Sequence, residues 1–364
     1  MEIRKQHHQR RVNIKLLSFV QLDMNSISFL IALSSDWNWC STGTTVAGTG
    51  VQGYQPNQLS SPYQVKIGSD GALYVADSNY NHRISKWIIG SGSSTIVAGQ
   101  SYPQSGSSLS LFNQPYGVYL DSTGKMYVTD TMNHRVMLWN NSATSGSIVA
   151  GNGTKNRNKR NKSVLSVFSL GTSGNSLNQL ANPYSVTLDE SSNKLYIADC
   201  NNHRIIGVQL STLTPSLVAG GIGFGHSTAH LYYPTDIYWD SSTNSLYIVN
   251  NGNSIIIRWV IGGTGWTLVA GFVNIASATS MTFNSPIGLT FDSAGNLYVA
   301  DTSNHRIQFF RSGDATGKTI AGVSGIAGST SNSLYNPRFV AVDSQFNLYV
   351  ADTNNYRVQM FRRC

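Results

Sequence analysis

Hydrophobic positions along this chain come in short runs rich in Val, Ile, Leu, Tyr and Trp, broken by clusters of Gly, Ser, Asn and Asp. Such runs predict β-strands separated by turns. One run recurs six times, at Leu73–Asp77, Met126–Asp130, Leu195–Asp199, Leu246–Asn250, Leu297–Asp301 and Leu348–Asp352. Its last residues lie 53, 69, 51, 51 and 51 positions apart. A second word follows each copy. It is Asn-His-Arg ending at Arg83, Arg135, Arg204 and Arg306, Asn-Tyr-Arg ending at Arg357, and the divergent Asn-Ser-Ile ending at Ile255. A proline opens each unit (Pro62, Pro115, Pro183, Pro234, Pro286, Pro337), and Ala-Gly closes a further apolar run, at Gly48, Gly99, Gly151, Gly220, Gly271 and Gly322. Each unit therefore reads as four strands: a after the proline, b ending in Asp, c after Asn-His-Arg, and d ending in Ala-Gly. Four-strand units of this length suit radial stacking into a β-propeller, in which each sheet buries both faces against its neighbours.

Together these words resemble the NHL repeat family, whose members form six-bladed β-propellers. The resemblance covers about residues 41–364, with the unit from Pro286 to Ile307 matching throughout. It implies an all-β fold of six blades, each of four antiparallel strands. The fourth blade departs most: Asn250 replaces Asp, Ser254 replaces His and Ile255 replaces Arg. Asp and Arg vanish from the same blade. The expectation is that they pair elsewhere, as Asp77–Arg83, Asp130–Arg135, Asp199–Arg204, Asp301–Arg306 and Asp352–Arg357. Losing one partner alone would strand a buried charge.

The last unit ends at Cys364 without a strand d, and a spare d word, Thr45 to Gly48, stands near the start. The N-terminal strand is thus expected to complete the sixth blade and hide the sheet edges. In that register Cys364 aligns with Gly90 and Cys40 with Ser91, neighbours at a hairpin tip. A Cys40–Cys364 disulfide follows, with Cys200 left over. The expected organisation is a leader over 1–39 and a propeller over 40–364, with an insertion at 152–170 in one d–a loop.

Charge sharpens the picture. The formal net charge of +8 resides in residues 1–15 and in Lys155, Arg157, Lys159, Arg160 and Lys162; the remainder is nearly neutral. Charged residues are only 12% of the chain, well below the ~25% of ordinary soluble domains. A broad phosphate-binding surface is therefore not expected. RNA or polyanion binding through residues 155–162 stays as the alternative. A disulfide requires an oxidising compartment, and sequons at Asn140, Asn152 and Asn161 fit a secreted glycoprotein; a cytoplasmic location is the alternative. No apolar run is long enough to span a bilayer.

Strand order places the d–a and b–c loops on one face, where the loop lengths vary. Loops on a rigid scaffold are where recognition concentrates. The inner strands begin there with Tyr63, Tyr116 and Tyr184 on three neighbouring blades, and Asp236, Arg338 and Phe339 on others. These six are the candidate channel-mouth residues. No catalytic constellation emerges. The repeated histidines lie in separate blades, and His226 and His230 lack a third ligand. No metal or cofactor is expected. The reading is a monomeric, non-catalytic module for a protein, peptide or glycan. Other relatives implied by the resemblance are substrate-recognition partners of ubiquitin ligases and the channel lyase of peptide-amidating enzymes. No zinc-binding module precedes the propeller, and no histidine occupies the listed strand-a positions.

Overall fold

The computed structural model describes residues 37–151 and 173–364. The expected leader to residue 36, the cations Lys155, Arg157, Lys159, Arg160 and Lys162, and the sequons at Asn152 and Asn161 lie outside the described residues. Six four-stranded antiparallel sheets form a propeller. Blade 1 runs Pro62–Ile67, Leu73–Asp77, Arg83–Trp87 and Ser94–Ala98 from axis to rim. Blades 2 to 5 repeat this order, beginning at Pro115, Pro183, Pro234 and Gly288. Blade 6 takes Pro337–Val342, Leu348–Asp352 and Arg357–Phe361 from the C-terminus and Thr44–Ala47 from the N-terminus. Each inner strand touches the inner strands on both sides, Pro62–Ile67 meeting Pro337–Val342, so the ring closes.

The closing strand copies the register of a continuous blade. Thr44 pairs Met360, Thr45 pairs Gln359 and Ala47 pairs Val358, skipping Val46. In blade 1, Thr95 pairs Lys86, Ile96 pairs Ser85 and Ala98 pairs Ile84, skipping Val97. The glycine that follows is required. Gly48, Gly99, Gly151, Gly220, Gly271 and Gly322 all have positive φ, and a Cβ at each would strike the carbonyl oxygen of the residue before strand c. Beyond the closing strand, Cys40 N–H donates to Arg362 O at 2.8 Å and Cys364 N–H to Asn38 O at 3.1 Å. That pairing brings the two cysteines into a disulfide with a Cα separation of 5.3 Å.

The apolar core lies in the seams between blades. Val65, Leu73 and Trp87 of blade 1 pack with Phe339, Tyr349 and Met360 of blade 6. Leu195, Ile197 and Ile206 of blade 3 pack with Tyr127 and Val136 of blade 2. Each fully buried aliphatic or aromatic side chain contributes about 1.5–3 kcal/mol. Burial of both sheet faces also accounts for the scarcity of charge.

The repeated polar words fasten the loops. Asp130 is fully buried; its Oδ2 accepts Arg135 Nε–H at 2.6 Å and Asn133 Nδ2–H at 2.9 Å, while Oδ1 accepts Asn113 N–H at 2.6 Å. Arg135 then donates to the carbonyls of Ser107, Ser108 and Leu111 in the loop entering its own blade. Equivalent pairs join Asp77–Arg83 at 3.3 Å, Asp199–Arg204 at 2.6 Å, and Asp301–Arg306 and Asp352–Arg357 at 2.8 Å. Burial pushes the Asp130 carboxyl up, and the Arg135 charge and N–H donors oppose it.

The residue between Asn and Arg reaches the next blade. His82, His134, His203 and His305 all have positive φ. Their Nδ1 atoms accept the N–H groups of Gln114, Asn182, Tyr233 and Asn336 at 3.1–3.2 Å. The residue after the strand-b Asp adds a further tie. Thr131 donates to Pro183 O at 2.8 Å, and Thr353 donates to Pro62 O at 2.7 Å across the ring closure. Cys200 occupies this position in blade 3, buried and with a free thiol.

Two predictions arise. Burial holds all four histidines below the ordinary imidazole pKa, and Nδ1 accepts only when it is unprotonated. The unfolded chain therefore binds protons first as pH falls below about 6.5. Stability should be full above that pH and decline as pH drops through the lowered folded values; urea melts from pH 7.5 to 5 should show it, with a shallower slope in His134→Gln. Secondly, cutting the Cys40–Cys364 link, which closes a loop with a sequence separation of 324, should cost up to about 6 kcal/mol by the chain-entropy model. Denaturant melts of Cys40→Ser protein measure the loss, and recovery of both native cysteines as free thiols without reductant would remove it.

Candidate binding face and channel

At the channel mouth the inner strands bring the candidate aromatics together. Tyr63 stacks on Tyr116 with ring centroids 4.0 Å apart and planes at 10°. Tyr184 meets both edge-on, at 5.9 and 4.9 Å. The Arg338 guanidinium lies over the other side of Tyr63, 4.5 Å from the ring centroid. Tyr116 donates its hydroxyl hydrogen to Gln114 Oε1 at 3.0 Å. The Tyr63 hydroxyl is buried beside the Arg338 guanidinium and the Tyr184 hydroxyl. Burial raises the Tyr63 phenol pKa, opposed by the Arg338 charge.

Asp236 and Phe339 are placed differently from that aromatic group. Their position on strand a points towards the following blade. Asp236 is buried; it accepts Ser185 Oγ–H at 2.5 Å from blade 3 and Leu289 N–H at 2.8 Å in blade 5. Gln64 accepts Val118 N–H of blade 2 from the matching position. Phe339 is buried in the seam between blades 6 and 1. Both residues act as ties between blades, because alternate strand residues face the neighbouring sheet.

Lys66, which the repeat pattern does not mark, comes near these residues. Its ammonium lies 4.8 Å from the centre of the Phe339 ring. Burial lowers its pKa, opposed by the charge of Asp236. Burial in turn raises Asp236 to about 6, opposed by Lys66.

The loop face carries a second feature. Tyr54, Tyr80, Tyr102, Phe224, Tyr233, Phe272 and Tyr335 are the exposed aromatics among the described residues. Every one lies in a d–a or b–c loop, hence on one face. The densest group belongs to the loop entering blade 4. There Phe224, 65% exposed, packs with Tyr232 at 5.3 Å and His203 at 5.7 Å, and Tyr232 stacks on Tyr233 at 5.1 Å. Ile222 beside it is 60% exposed. This is the blade without the ion pair. Asn250 Oδ1 holds Tyr232 N–H at 2.7 Å, and His226 Nδ1 meets Asn253 Oδ1 at 2.6 Å, while Ile255 offers the loop no guanidinium. The d–a loops enter strand a in a common register, with Leu59, Phe112, Leu180, Leu231, Phe283 and Leu334 buried at one position, but no repeated word marks Phe224 or Tyr232; the coincident loss of Asp and Arg was the signal for this blade.

His230 bonds Ser227 at 2.6 Å instead of sharing a ligand with His226. Among the described residues no three of His, Cys, Asp and Glu are grouped to hold a metal. Burial raises the Cys200 thiol pKa, which makes it a poor nucleophile.

The NHL repeat model matches residues 180–207, 283–310 and 334–361, each spanning strands a to c of one blade. The chain carries NHL repeats on a six-bladed propeller. The curated relatives include human Teneurin-4, 26% identical over 84% of this chain and 12% of its own length. The chain thus spans about an eighth of that relative. Among solved structures, an auxiliary nutrient binding protein from Bacteroides ovatus superposes with a TM-score of 0.62 at 14% identity, covering 90% of this chain and 77% of the other. A streptogramin B lyase superposes with a TM-score of 0.55 at 14% identity, covering 91% and 100%. At such identity these structures share the fold, and binding proteins and enzymes alike are built on it. No helix among the described residues is long and apolar enough to cross a membrane.

The NHL ring should tolerate neutralisation of one seam carboxylate. Asp236→Asn keeps an acceptor for Leu289 N–H. Because the folded carboxyl titrates near 6 against about 3.9 when unfolded, its ionisation opposes folding above that window. The variant should be more stable at pH 7.5, by at most about 3 kcal/mol, and the gain should vanish by pH 4. Equal stability of the two proteins at both values would contradict this.

Proposed function

We propose that this NHL propeller is a non-catalytic binding module that holds a protein partner on its d–a/b–c loop face. The observation that carries the proposal is the confinement of the exposed aromatics to that face. Aromatic side chains dominate the energetics of protein interfaces, and their spread over several blades suits a broad surface rather than a small ligand. The loop entering blade 4 forms its centre, with Phe224 and Ile222 as anchors. The Cys40–Cys364 bond supports a secreted protein working in an oxidising compartment. Asn140 is exposed in the c–d turn of blade 2, so a glycan there would leave the loop face clear.

The test uses a multimerised full chain against an array of purified secreted and cell-surface proteins. The double variant Ile222→Ser, Phe224→Ser should weaken capture of its partner by about 30-fold or more, the loss of ~2 kcal/mol typical of an anchor. Ile88→Ser, Ile89→Ser on the opposite face should leave it unchanged. Loss in the second variant with retention in the first would reverse the assignment of the face.

A further inference from the structure

Two blades open a cleft at equivalent places. Strand b of every blade carries a tyrosine, and strand c sets one residue directly across from it, close enough for the side chains to interact. That residue is apolar in blades 2, 5 and 6 (Leu138, Phe309, Met360) and glycine in blade 3 (Gly207). In blades 1 and 4 it is a cation, Lys86 opposite Tyr74 and Arg258 opposite Tyr247. Beside each of these two pairs lies a cleft towards the next blade, of about 650 Å³ in blade 1 and about 380 Å³ in blade 4. Both are lined by a–b and c–d turns, hence on the face away from the d–a and b–c loops. In blade 1 a carboxylate of the protein completes the pair. Asp70 Oδ2 accepts from Lys86 Nζ at 2.6 Å and from the Tyr74 hydroxyl at 3.3 Å. Blade 4 has no such arrangement. Asp240, in its a–b turn, is taken up by the hydroxyls of Ser242 and Thr243, both at 2.6 Å. Arg258 forms no ion pair among the described residues, and no acceptor among them takes the Tyr247 hydroxyl. The Arg258 Nε–H donates to Ser245 Oγ at 3.0 Å, and Nη2 reaches only the Thr243 carbonyl, at 3.5 Å.

We propose that the cleft between blades 4 and 5 binds a monocarboxylate with an apolar body, its carboxylate seated between Arg258 and Tyr247 as Asp70 is seated between Lys86 and Tyr74. The comparison within the chain selects the head group. The two blades share the tyrosine and the cation, and only blade 1 supplies the carboxylate that joins them. A guanidinium offers a carboxylate two parallel N–H donors, and the bond to Ser245 fixes its plane. The Tyr247 hydroxyl adds a third donor. Burial raises its pKa, opposed by the Arg258 charge, so it keeps its hydrogen at neutral pH. The rest of the wall selects the body of the ligand. Leu268 and Val269 of blade 4 and Phe291 and Phe310 of blade 5 line the same cleft, and Leu268 is 48% exposed. A mostly apolar wall with a few convergent polar groups, enclosing a volume of this order, is the usual form of a small-ligand site. The carboxylate could come from a free organic acid or from the C-terminal residue of a peptide. The site faces away from the d–a/b–c loops and holds whether or not they take a protein.

Calorimetric titration of the full chain tests it with four probes: 3-phenylpropanoate, 3-phenylpropanamide, N-acetyl-Gly-Leu with a free carboxylate, and inorganic phosphate. Both carboxylates, or one of them, should bind, and the amide and phosphate should bind about tenfold or more weakly, the loss of a charged hydrogen bond. Binding of phenylpropanoate alone assigns the site to small acids, and binding of the peptide acid alone assigns it to chain termini. Arg258→Gln should weaken the bound carboxylate by about tenfold or more, and Tyr247→Phe by about threefold. Arg258→Lys, which copies the cation of blade 1, should lose less than Arg258→Gln. Lys86→Gln, where Asp70 already serves, should leave binding unchanged. Circular dichroism confirms that each variant is folded. The proposal is overturned if neither carboxylate binds more tightly than the amide. Stronger binding of phosphate, or full affinity in Arg258→Gln, overturns it equally.

Discussion

The buried carboxylate–guanidinium pair at the b–c turn is the interaction on which the rest of this propeller depends. A sheet in a ring is held by apolar seams, but its loops must be held by something else, because each carries unpaired backbone groups. Here one arginine supplies that hold. Arg135 donates once to Asp130 and to three loop carbonyls. The pair is sealed from solvent, so its value depends on both members being present. The same turn also sends a histidine and a hydroxyl to the next blade. A single short stretch from strand b to strand c, Asp130 to Arg135 in blade 2, thereby organises its own loop and its neighbour's position.

Blade 4 shows what happens when the pair is exchanged as a unit. With Asn250 and Ile255 in place, no charge is stranded, and the strands keep their register. The loop into that blade is held by an asparagine and a histidine and fills the remaining space with rings. Its exposed aromatic cluster coincides with the missing arginine. Departures from a repeat rule without a compensating gain in stability tend to mark function.

Much of this was legible in the sequence. The strand count, the ion pairs, and the closure by Thr44–Ala47 with its disulfide all follow from words repeated in register. What escaped was set by direction rather than order. Asp236 and Phe339 stand next to the channel in sequence, yet alternation along the strand turns them into the seams. Lys66 is distinguished by no repeat word, and only the structure shows its reach over Phe339. The histidines read as structural without revealing their partners, since the accepted N–H groups lie about 30 residues or more ahead, in the next blade. The aromatic cluster lies in a loop whose backbone follows the other blades but whose side chains no repeated word sets.

A double-mutant cycle in blade 2 tests the central claim most directly. Asp130→Asn and Arg135→Ile together copy the composition of blade 4, and unfolding free energies of the two singles and the double complete the cycle. Arg135→Ile alone should cost about 3–5 kcal/mol, because it strands a buried carboxylate. The double should cost clearly less than the sum of the singles. Strict additivity would show that carboxylate and guanidinium contribute independently, and would contradict the account of how these loops are held.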